Sequence, residues 1–193
     1  MAQVAQHARL VAGVAPLSAH DHLIGPAFPC SCAPRDNLGL HHALMTAPAG
    51  SVLVCAVDAR LDGGYFGELM ATDAVQRRLA GLVIDGSVRD TNEIRDLGFP
   101  VFAGGVNPFQ CDKKTAPSVG EPVVLAGTVV RLGDIVVGDA DGVVVVPWED
   151  WAGVEEAAQT LQANEASTRS TIEAGTTLAT HLALPTPPNQ PTR

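Results

Sequence analysis

Three apolar runs rich in β-branched residues, alternating with segments of helical periodicity, constrain the fold of this chain most strongly. The apolar runs occupy residues 51–57, 81–86 and 101–103, and the helical segments occupy residues 38–47, 70–79 and 91–97. An uninterrupted apolar run is typical of a strand that is buried on both faces of its sheet. Strands and helices in alternation predict an α/β fold with a parallel sheet.

The pattern changes in the C-terminal half of the chain. Residues 119–147 contain short valine-rich runs separated by turn residues, which predicts closely spaced hairpins in a barrel-like arrangement. Residues 139–142 (Asp-Ala-Asp-Gly) are predicted as a turn and not as a calcium loop, because the first and twelfth ligand positions fall on Val137 and Trp148. Residues 148–174 alternate acidic and apolar positions and are predicted as a helix.

Length and composition predict one domain. The 193 residues are 46% hydrophobic and 17% charged, which is enough apolar material for one packed core. We place the domain at residues 18–178, after an N-terminal arm or short helix at 1–17 and before a proline-rich, disordered tail at 179–193. Inside the domain, residues 24–37 contain three prolines and are predicted to be largely loop.

Charge, hydropathy and missing motifs exclude several classes of function. A net charge of −9 argues against binding to a nucleic-acid backbone. No apolar run approaches the roughly 18 residues of a membrane span and no signal peptide is evident, so we expect no membrane partner and a cytoplasmic protein. The chain also lacks a Gly-Lys-Ser/Thr phosphate loop, a G-x-G-x-x-G turn and a G-x-S-x-G nucleophile turn.

Cysteine and histidine spacing predicts neither a structural disulfide nor a zinc site. Cys30 and Cys32 are too close in sequence for an ordinary disulfide and lack the paired spacing of zinc ligands, while Cys55 lies in an apolar run and is predicted as a core residue. Adjacent residues of a helix point in different directions, so His41 and His42 cannot both chelate one metal.

Residues 63–90 hold the strongest candidate for a functional site. Glu68 follows a glycine turn, and Arg89 and Asp90 follow the second apolar run. A turn, helix and strand in succession bring these residues to one edge of a sheet, where α/β proteins bind ligands. One or two carboxylates suit a divalent cation, and a guanidinium matches an anionic substrate. The same residues also fit a structural Arg–carboxylate pair with Glu68 capping the following helix, and the pattern alone leaves both interpretations open.

A family resemblance favours the functional interpretation. From about residue 37 to residue 147 the chain resembles the family of regulator of ribonuclease activity A and the 4-hydroxy-4-methyl-2-oxoglutarate aldolases. The resemblance rests on GSVLV, GGYFGELMA, GLVIDGSVRD, FPVFAGG and GDIVVGDADGVVVVP. It implies a single-domain, layered β/α/β fold of the swivelling type. The aldolases have a carboxylate, twenty intervening residues and an Arg-Asp pair, and this chain has that spacing at Glu68, Arg89 and Asp90.

The resemblance implies a class II, divalent-metal-dependent lyase that forms pyruvate from a small 2-keto acid and also decarboxylates oxaloacetate. Asp90 would bind Mg²⁺ or Mn²⁺ directly, and Glu68 would act through a metal-bound water. The family pattern has aspartate where this chain has Glu68, which bears on the choice of substrate. Arg89 would pair with substrate oxygens and stabilise the enolate. The ribonuclease-regulator branch lacks the carboxylate after the arginine, so Asp90 favours the enzyme.

Further expectations follow from the same resemblance. The backbone around Gly67, Leu69 and Met70 would bind the substrate carboxylate. The family forms homotrimers or dimers of trimers, and Glu165 of a neighbouring subunit would complete the water shell of the metal. Two other functions stay open: a non-catalytic regulator that binds ribonuclease E or a helicase, and a demethylmenaquinone methyltransferase, which the missing cofactor loop disfavours.

Overall fold

The computed structural model describes residues 7–116 and 118–185, which form a mixed α/β fold. The strands are β1 (Arg9–Val11), β2 (Ala15–Pro16), β3 (Leu23–Ser31), β4 (Val52–Ala56), β5 (Gly64–Phe66), β6 (Gly81–Val88), β7 (Val101–Val106), β8 (Ser118–Val119), β9 (Val123–Leu125), β10 (Thr128–Val130), β11 (Ile135–Asp139) and β12 (Gly142–Val146). The helices are α1 (Leu38–Thr46), α2 (Glu68–Gln76), α3 (Thr91–Leu97), α4 (Trp151–Glu173) and α5 (Leu178–His181), and a 3₁₀ turn (Trp148–Asp150) precedes α4.

One mixed sheet of ten strands organises the fold. Its strand order is β1-β12-β11-β3-β4-β6-β7-β2, with β5 pairing with β6 and β8 pairing with β3. Strands β3, β4, β6 and β7 run parallel, and the alternation of apolar runs and helices predicts this for β4, β6 and β7. Antiparallel pairs extend this parallel core on both sides, and β9 and β10 form a separate hairpin. The swivelling β/α/β layering stays a prediction.

The parallel strands are buried on both faces, as their uninterrupted apolar sequences predict. Every residue of β4 and of β6 is buried. Successive side chains of a strand point to opposite faces of the sheet. Leu53 and Cys55 therefore pack in a cluster with residues of α1, α2 and α3. Val52 and Val54 pack on the other side, with valines of β9 to β12.

The prediction of loop for residues 24–37 is wrong over most of its length, because Leu23–Ser31 forms the nine-residue strand β3. Proline lacks an N–H group and is tolerated in a strand only where no ladder bond is needed. Pro26 precedes the first parallel pair of β3, Ala27 with Val52. Pro29 lies between the last pair with β11, at Pro26, and the first pair with β8, at Cys30. Each proline is thus paired with a strand on one side only: Pro26 with Ile135 of β11, and Pro29 with Val54 of β4.

The predicted N-terminal arm or short helix at 1–17 is wrong for Arg9–Val11 and Ala15–Pro16, which are strands β1 and β2. Strand β1 pairs antiparallel with β12, and β2 pairs with β7. Each supplies backbone partners to a strand that would otherwise be the edge of the sheet. Residues 1–6, which belong to the same prediction, lie outside the described part of the chain.

The C-terminal helix α4 follows the prediction of a helix at 148–174, with a 3₁₀ turn as its first residues. Val154 is the one buried residue among its 23. Helix α5 follows and includes the first residues of the predicted tail, of which residues 186–193 lie outside the described part. Among the described helices, none is both long and apolar enough to cross a membrane.

Candidate functional site

The candidate site lies where β5, β6 and β7 end at one edge of the sheet. These strands are parallel, and the register places Phe66 beside Val88 and Val88 beside Val106. The Arg89 N–H donates to the Phe66 carbonyl at 2.9 Å, and the Asn107 N–H donates to the Val88 carbonyl at 2.9 Å. The turns that follow the three strands are therefore tied side by side. They carry Gly67, Arg89 and Asn107 at their first positions.

Asp90 turns back from α3 towards the N-terminus of α2. Its Oδ2 accepts the Glu68 N–H at 3.2 Å and lies 3.7 Å from Arg89 Nη1. Its backbone is left-handed, with φ 54° and ψ 45°, and its side chain makes no capping bond to α3. The first N–H groups of a helix carry partial positive charge and attract anions. A carboxylate and a guanidinium thus meet at the N-terminus of α2, with side chains 35% and 30% exposed.

Glu68 does not have the capping role of the structural interpretation. The N-cap of α2 is Gly67, and the Glu68 side chain makes no capping bond to the first turn of the helix. The Glu68 side chain is exposed, and among the described residues it makes no ion pair with Arg89. Its backbone N–H, in contrast, is bonded to Asp90. The side chain is therefore at the mouth of the site and in contact with solvent.

Two glycines make room for the charged pair. A Cβ atom on Gly67 would lie 2.5 Å from Asp90 Oδ2 and 3.0 Å from Arg89 Cγ. A Cβ atom on Gly64 would lie 2.8 Å from Arg89 Cβ and would also clash with the Asn107 carbonyl. The Gly67 backbone is extended (φ −149°), so the close approach of Asp90, and not the backbone conformation, requires glycine there.

The backbone donors predicted at Leu69 and Met70 have different surroundings. The Met70 N–H donates to the Gly67 carbonyl at 3.1 Å, so it is already used inside the helix. The Leu69 N–H meets no acceptor within residues 7–116 and 118–185. The first turn of α2 therefore offers one N–H group, that of Leu69, to an anion beside Asp90.

Asn37 supports this site from the buried side, and no sequence pattern identifies it. Its side chain is buried, with Nδ2 donating to the Tyr65 carbonyl at 2.8 Å and lying 3.6 Å from Met70 Sδ. It thereby ties the end of β5 to the first turn of α2. Its Oδ1 is buried and meets no donor in the described part of the chain. Only the polar residue type before α1 was visible in the sequence, and the two contacts are 28 and 33 residues away.

Asp36, next to Asn37, anchors the loop that follows β7. Its Oδ1 accepts the Leu38 N–H at 3.0 Å, and its Oδ2 accepts the N–H groups of Lys114 and Thr115 at 2.6 and 3.0 Å. Burial by itself would raise the pKa of this carboxyl, but the three N–H donors outweigh burial and lower the pKa below its usual value. Asp36 is therefore a structural carboxylate and not a second acid of the site.

The remaining predicted residue, Glu165, lies on the exposed surface of α4. Among the described residues it makes no hydrogen bond or ion pair with Glu68, Arg89 or Asp90. Within the described ranges, no three His, Cys, Asp or Glu side chains lie close enough together to hold a metal ion. A single chain therefore brings together Arg89, Asp90 and the backbone of Glu68, but not Glu165.

The fold and the candidate site together define the class of protein. It is a mixed α/β protein with a carboxylate–guanidinium pair at the carboxyl edge of its parallel strands. The pair lies next to a helix N-terminus where glycine leaves room for it. The chain belongs to the RraA-like (Aldolase/RraA) family, whose sequence model matches residues 1–145. The resemblance inferred from the motifs is thus confirmed.

Relatives of known name include both branches of this family. A protein of Halalkalibacterium halodurans, provisionally named 4-hydroxy-4-methyl-2-oxoglutarate aldolase, is 31% identical over 81% of this chain and 74% of its own length. The structure of the RNA-processing inhibitor RraA from Thermus thermophilis is 25% identical, with a TM-score of 0.67 over 72% of this chain and 85% of that one.

A second solved structure bears a different name. It is described as S-adenosylmethionine: 2-dimethylmenaquinone methyltransferase from Geobacillus kaustophilus, and it is 28% identical, with a TM-score of 0.71 over 76% of this chain and 91% of that one. Members with the same fold thus carry the names of a lyase, an inhibitor and a methyltransferase. The fold does not choose among these functions, so the choice depends on the residues of the site.

Proposed function

We propose that this chain is a class II, divalent-metal-dependent lyase that cleaves a carbon–carbon bond of a 4-hydroxy-2-keto acid and releases pyruvate. Its substrates are of the 4-hydroxy-4-methyl-2-oxoglutarate or 4-carboxy-4-hydroxy-2-oxoadipate type. The observation that carries the proposal is the Asp90 carboxylate, which is held at the N-terminus of α2 beside Arg89. The proposal is supported by three relatives, 30% to 34% identical to this chain, that bear aldolase names.

The donor atoms of the site fit a hard divalent cation. Asp90 Oδ2 is engaged by the Glu68 N–H and by Arg89, which leaves Oδ1 outside both contacts. Mg²⁺ and Mn²⁺ prefer carboxylate oxygen, and Mg²⁺ often keeps several waters beside one or two carboxylates. Asp90 would hold the cation directly, and Glu68 would orient its waters. A cation bound there would act as a Lewis acid on the 2-keto oxygen of the substrate.

The protein's own groups bind the substrate and stabilise charge. Arg89 pairs with the substrate oxygens through its planar fork, and the Leu69 N–H at the helix N-terminus donates to the substrate carboxylate. As the C3–C4 bond breaks, its electron pair forms the enolate of pyruvate, while the C4 hydroxyl gives its proton to a solvent water and becomes a carbonyl; solvent then supplies the proton that C3 takes up. Arg89 stabilises the negative charge on that enolate until C3 takes up a proton. Oxaloacetate loses CO₂ through the same enolate, so we propose its decarboxylation as a second activity.

We further propose a homotrimer or dimer of trimers in which Glu165 of a neighbouring subunit reaches the water shell of the cation. The support within one chain is α4, which has 23 residues and buries only Val154. A helix this long whose apolar face is not covered gains stability by packing against another subunit.

The proposal is tested by a coupled pyruvate-release assay on the purified protein. We expect release from 4-hydroxy-4-methyl-2-oxoglutarate, 4-carboxy-4-hydroxy-2-oxoadipate or oxaloacetate with Mg²⁺ or Mn²⁺. We expect its loss in a chelator and its return when metal is added back. Absence of pyruvate from every 2-keto acid of the panel, in a folded protein supplied with metal, would contradict the proposal.

The main alternative is a non-catalytic regulator, supported by the likeness to the RNA-processing inhibitor. A protein that captures ribonuclease E or a helicase in a pull-down and releases no pyruvate would be such a regulator. For the methyltransferase, heat released on titration with S-adenosylmethionine in a calorimeter would be the supporting result.

A substitution at Gly67 tests the geometry of the site. We expect Gly67→Ala to lower kcat/KM for pyruvate release by about 100-fold, because the added Cβ displaces the Asp90 carboxylate or Arg89. Gly153→Ala is the matched control, since a Cβ at Gly153 on α4 meets nothing within 4 Å. Wild-type turnover in a folded Gly67→Ala protein would mean that the observed position of Asp90 is not needed.

A further inference from the structure

Two of the four cysteines are in direct contact on the helix-covered face of the sheet. The thiol of Cys55 donates to Cys32 Sγ at a distance of 3.7 Å, although the residues are 23 positions apart in the sequence. Cys30 pairs with Cys55 across the β3–β4 ladder. All four cysteines are free thiols. This cluster lies outside the candidate site and has no part in the proposed lyase reaction.

Cys32 has the surroundings of a reactive thiol. It follows the last residue of β3 and is partly exposed, whereas Cys30, Cys55 and Cys111 are buried. Its sulfur lies beside the first turn of α1, where a Cβ atom on Gly39 would be 3.0 Å away. A thiolate at a helix N-terminus is stabilised by the helix dipole and by its first N–H groups.

The pKa values of the two thiols are shifted in opposite directions. The hydrogen bond from Cys55 lowers the pKa of the Cys32 thiol. Burial and the charge of Asp36 oppose this effect, and the N–H groups of Leu40 and Gly39 add to it, so that the pKa is lowered overall. Complete burial raises the pKa of Cys55 well above its usual value. Cys32 is therefore the nucleophile of the pair, and Cys55 keeps its proton.

We propose that Cys32 and Cys55 form a peroxide-sensitive thiol pair that closes to a disulfide. In the first step the Cys32 thiolate attacks hydrogen peroxide, the O–O bond breaks, and Cys32 becomes a sulfenic acid while hydroxide leaves and is protonated to water. In the second step the Cys55 sulfur attacks the Cys32 sulfur and displaces hydroxide, which takes up the Cys55 proton and leaves as a second water. Two thiols are oxidised and one peroxide is reduced to two waters.

Of the two cysteines, Cys32 is the one whose backbone can move to form the disulfide. A disulfide needs the sulfurs at about 2.05 Å, so the observed 3.7 Å has to shorten. Cys55 is fixed in β4 between β3 and β6. Cys32 lies beyond the end of β3, and its N–H makes one ladder-like bond, to the Ala56 carbonyl at 3.1 Å. The movement therefore falls on Cys32 and the turn after it.

The test is a thiol count on the whole chain under denaturing conditions after mild treatment with hydrogen peroxide. We expect the count to fall from four to two, and to return to four after dithiothreitol. Trypsin cuts after Arg35 and Arg60, so the disulfide should join the peptide that contains Cys30 and Cys32 to the peptide that contains Cys55, and the Cys30→Ala variant assigns the bond to Cys32. Four thiols remaining, or a bond between other cysteines, would overturn the proposal.

Variants of single cysteines separate this pair from general oxidation. Cys111→Ala and Cys30→Ala should each still lose two thiols and give the same linked peptides. Cys32→Ser should lose none. Cys55→Ala should stop at the sulfenic acid of Cys32, which dimedone traps as an adduct detectable by mass spectrometry. Absence of that adduct in a folded Cys55→Ala protein, or thiol loss in Cys32→Ser equal to that of the wild type, would also overturn the proposal.

Discussion

Replacing Asp90 with asparagine is expected to lower metal-dependent pyruvate release by about a thousandfold, because the substitution removes the one carboxylate that a cation would contact directly. Lewis-acid stabilisation contributes several kcal/mol to such reactions, and about 1.4 kcal/mol corresponds to a tenfold change in rate. We expect the apparent affinity for Mn²⁺ to fall as well, measured by calorimetry on the same protein.

Asparagine is the sharper choice at this position because Asp90 is left-handed, with φ 54°. Asparagine tolerates that conformation, whereas alanine adds backbone strain of about 1–2 kcal/mol. The amide oxygen can still accept the Glu68 N–H, so the local fold should persist. Asp96→Asn, on the exposed surface of α3, is the matched control and should keep wild-type activity. Equal turnover in Asp90→Asn and the wild type would remove Asp90 from the site.

Replacing Arg89 with alanine is expected to lower kcat/KM for pyruvate release by about 100- to 1,000-fold, the range seen when a group that stabilises transition-state charge is removed. Arg89 is the cation beside Asp90, with Nη1 3.7 Å from its Oδ2. We expect kcat to fall and KM to rise, since the guanidinium stabilises the enolate and also binds the substrate. Steady-state kinetics with oxaloacetate measure both constants.

Two further arginine variants define the role of Arg89. Arg89→Lys keeps the positive charge but lacks the planar fork, so its activity should fall between those of the wild type and Arg89→Ala. Arg77→Ala removes an exposed arginine at the C-cap of α2 that pairs with Asp73 at 2.9 Å, and such surface pairs contribute little to stability. An Arg89→Ala protein as active as Arg77→Ala would show that the guanidinium does not contact the substrate.

Much of the α/β framework could be predicted from the sequence because its signals are local. The run at 51–57 and the helix at Thr91–Leu97 are marked by apolar continuity and by Gly98 and Pro100 at the helix end, and both are found where expected. Strand β3 was missed because its prolines suggest a loop. They are tolerated where partner strands begin and end, which only the complete sheet specifies.

The candidate site, too, could be predicted from the sequence only in part. Spacing along the chain identified Glu68, Arg89 and Asp90 as candidates, since a turn, a helix and a strand return the chain to one sheet edge. Spacing could not show that Asp90 accepts the Glu68 backbone N–H, or that the Glu68 side chain stays in solvent. Asn37 was missed because its partners are remote in sequence.

By itself, the sequence determined the family, the parallel strands β4, β6 and β7 and the residue types at the candidate site, because hydrophobic runs and motif spacing are properties of neighbouring positions. The tertiary structure decided which of these residues meet. It placed the Asp90 carboxylate, and not that of Glu68, against the first N–H group of α2, with Gly67 leaving the space that a Cβ atom would fill. It also brought Cys32 to Cys55 across adjacent strands. Such contacts depend on strand order and register, which join positions that are far apart in the chain.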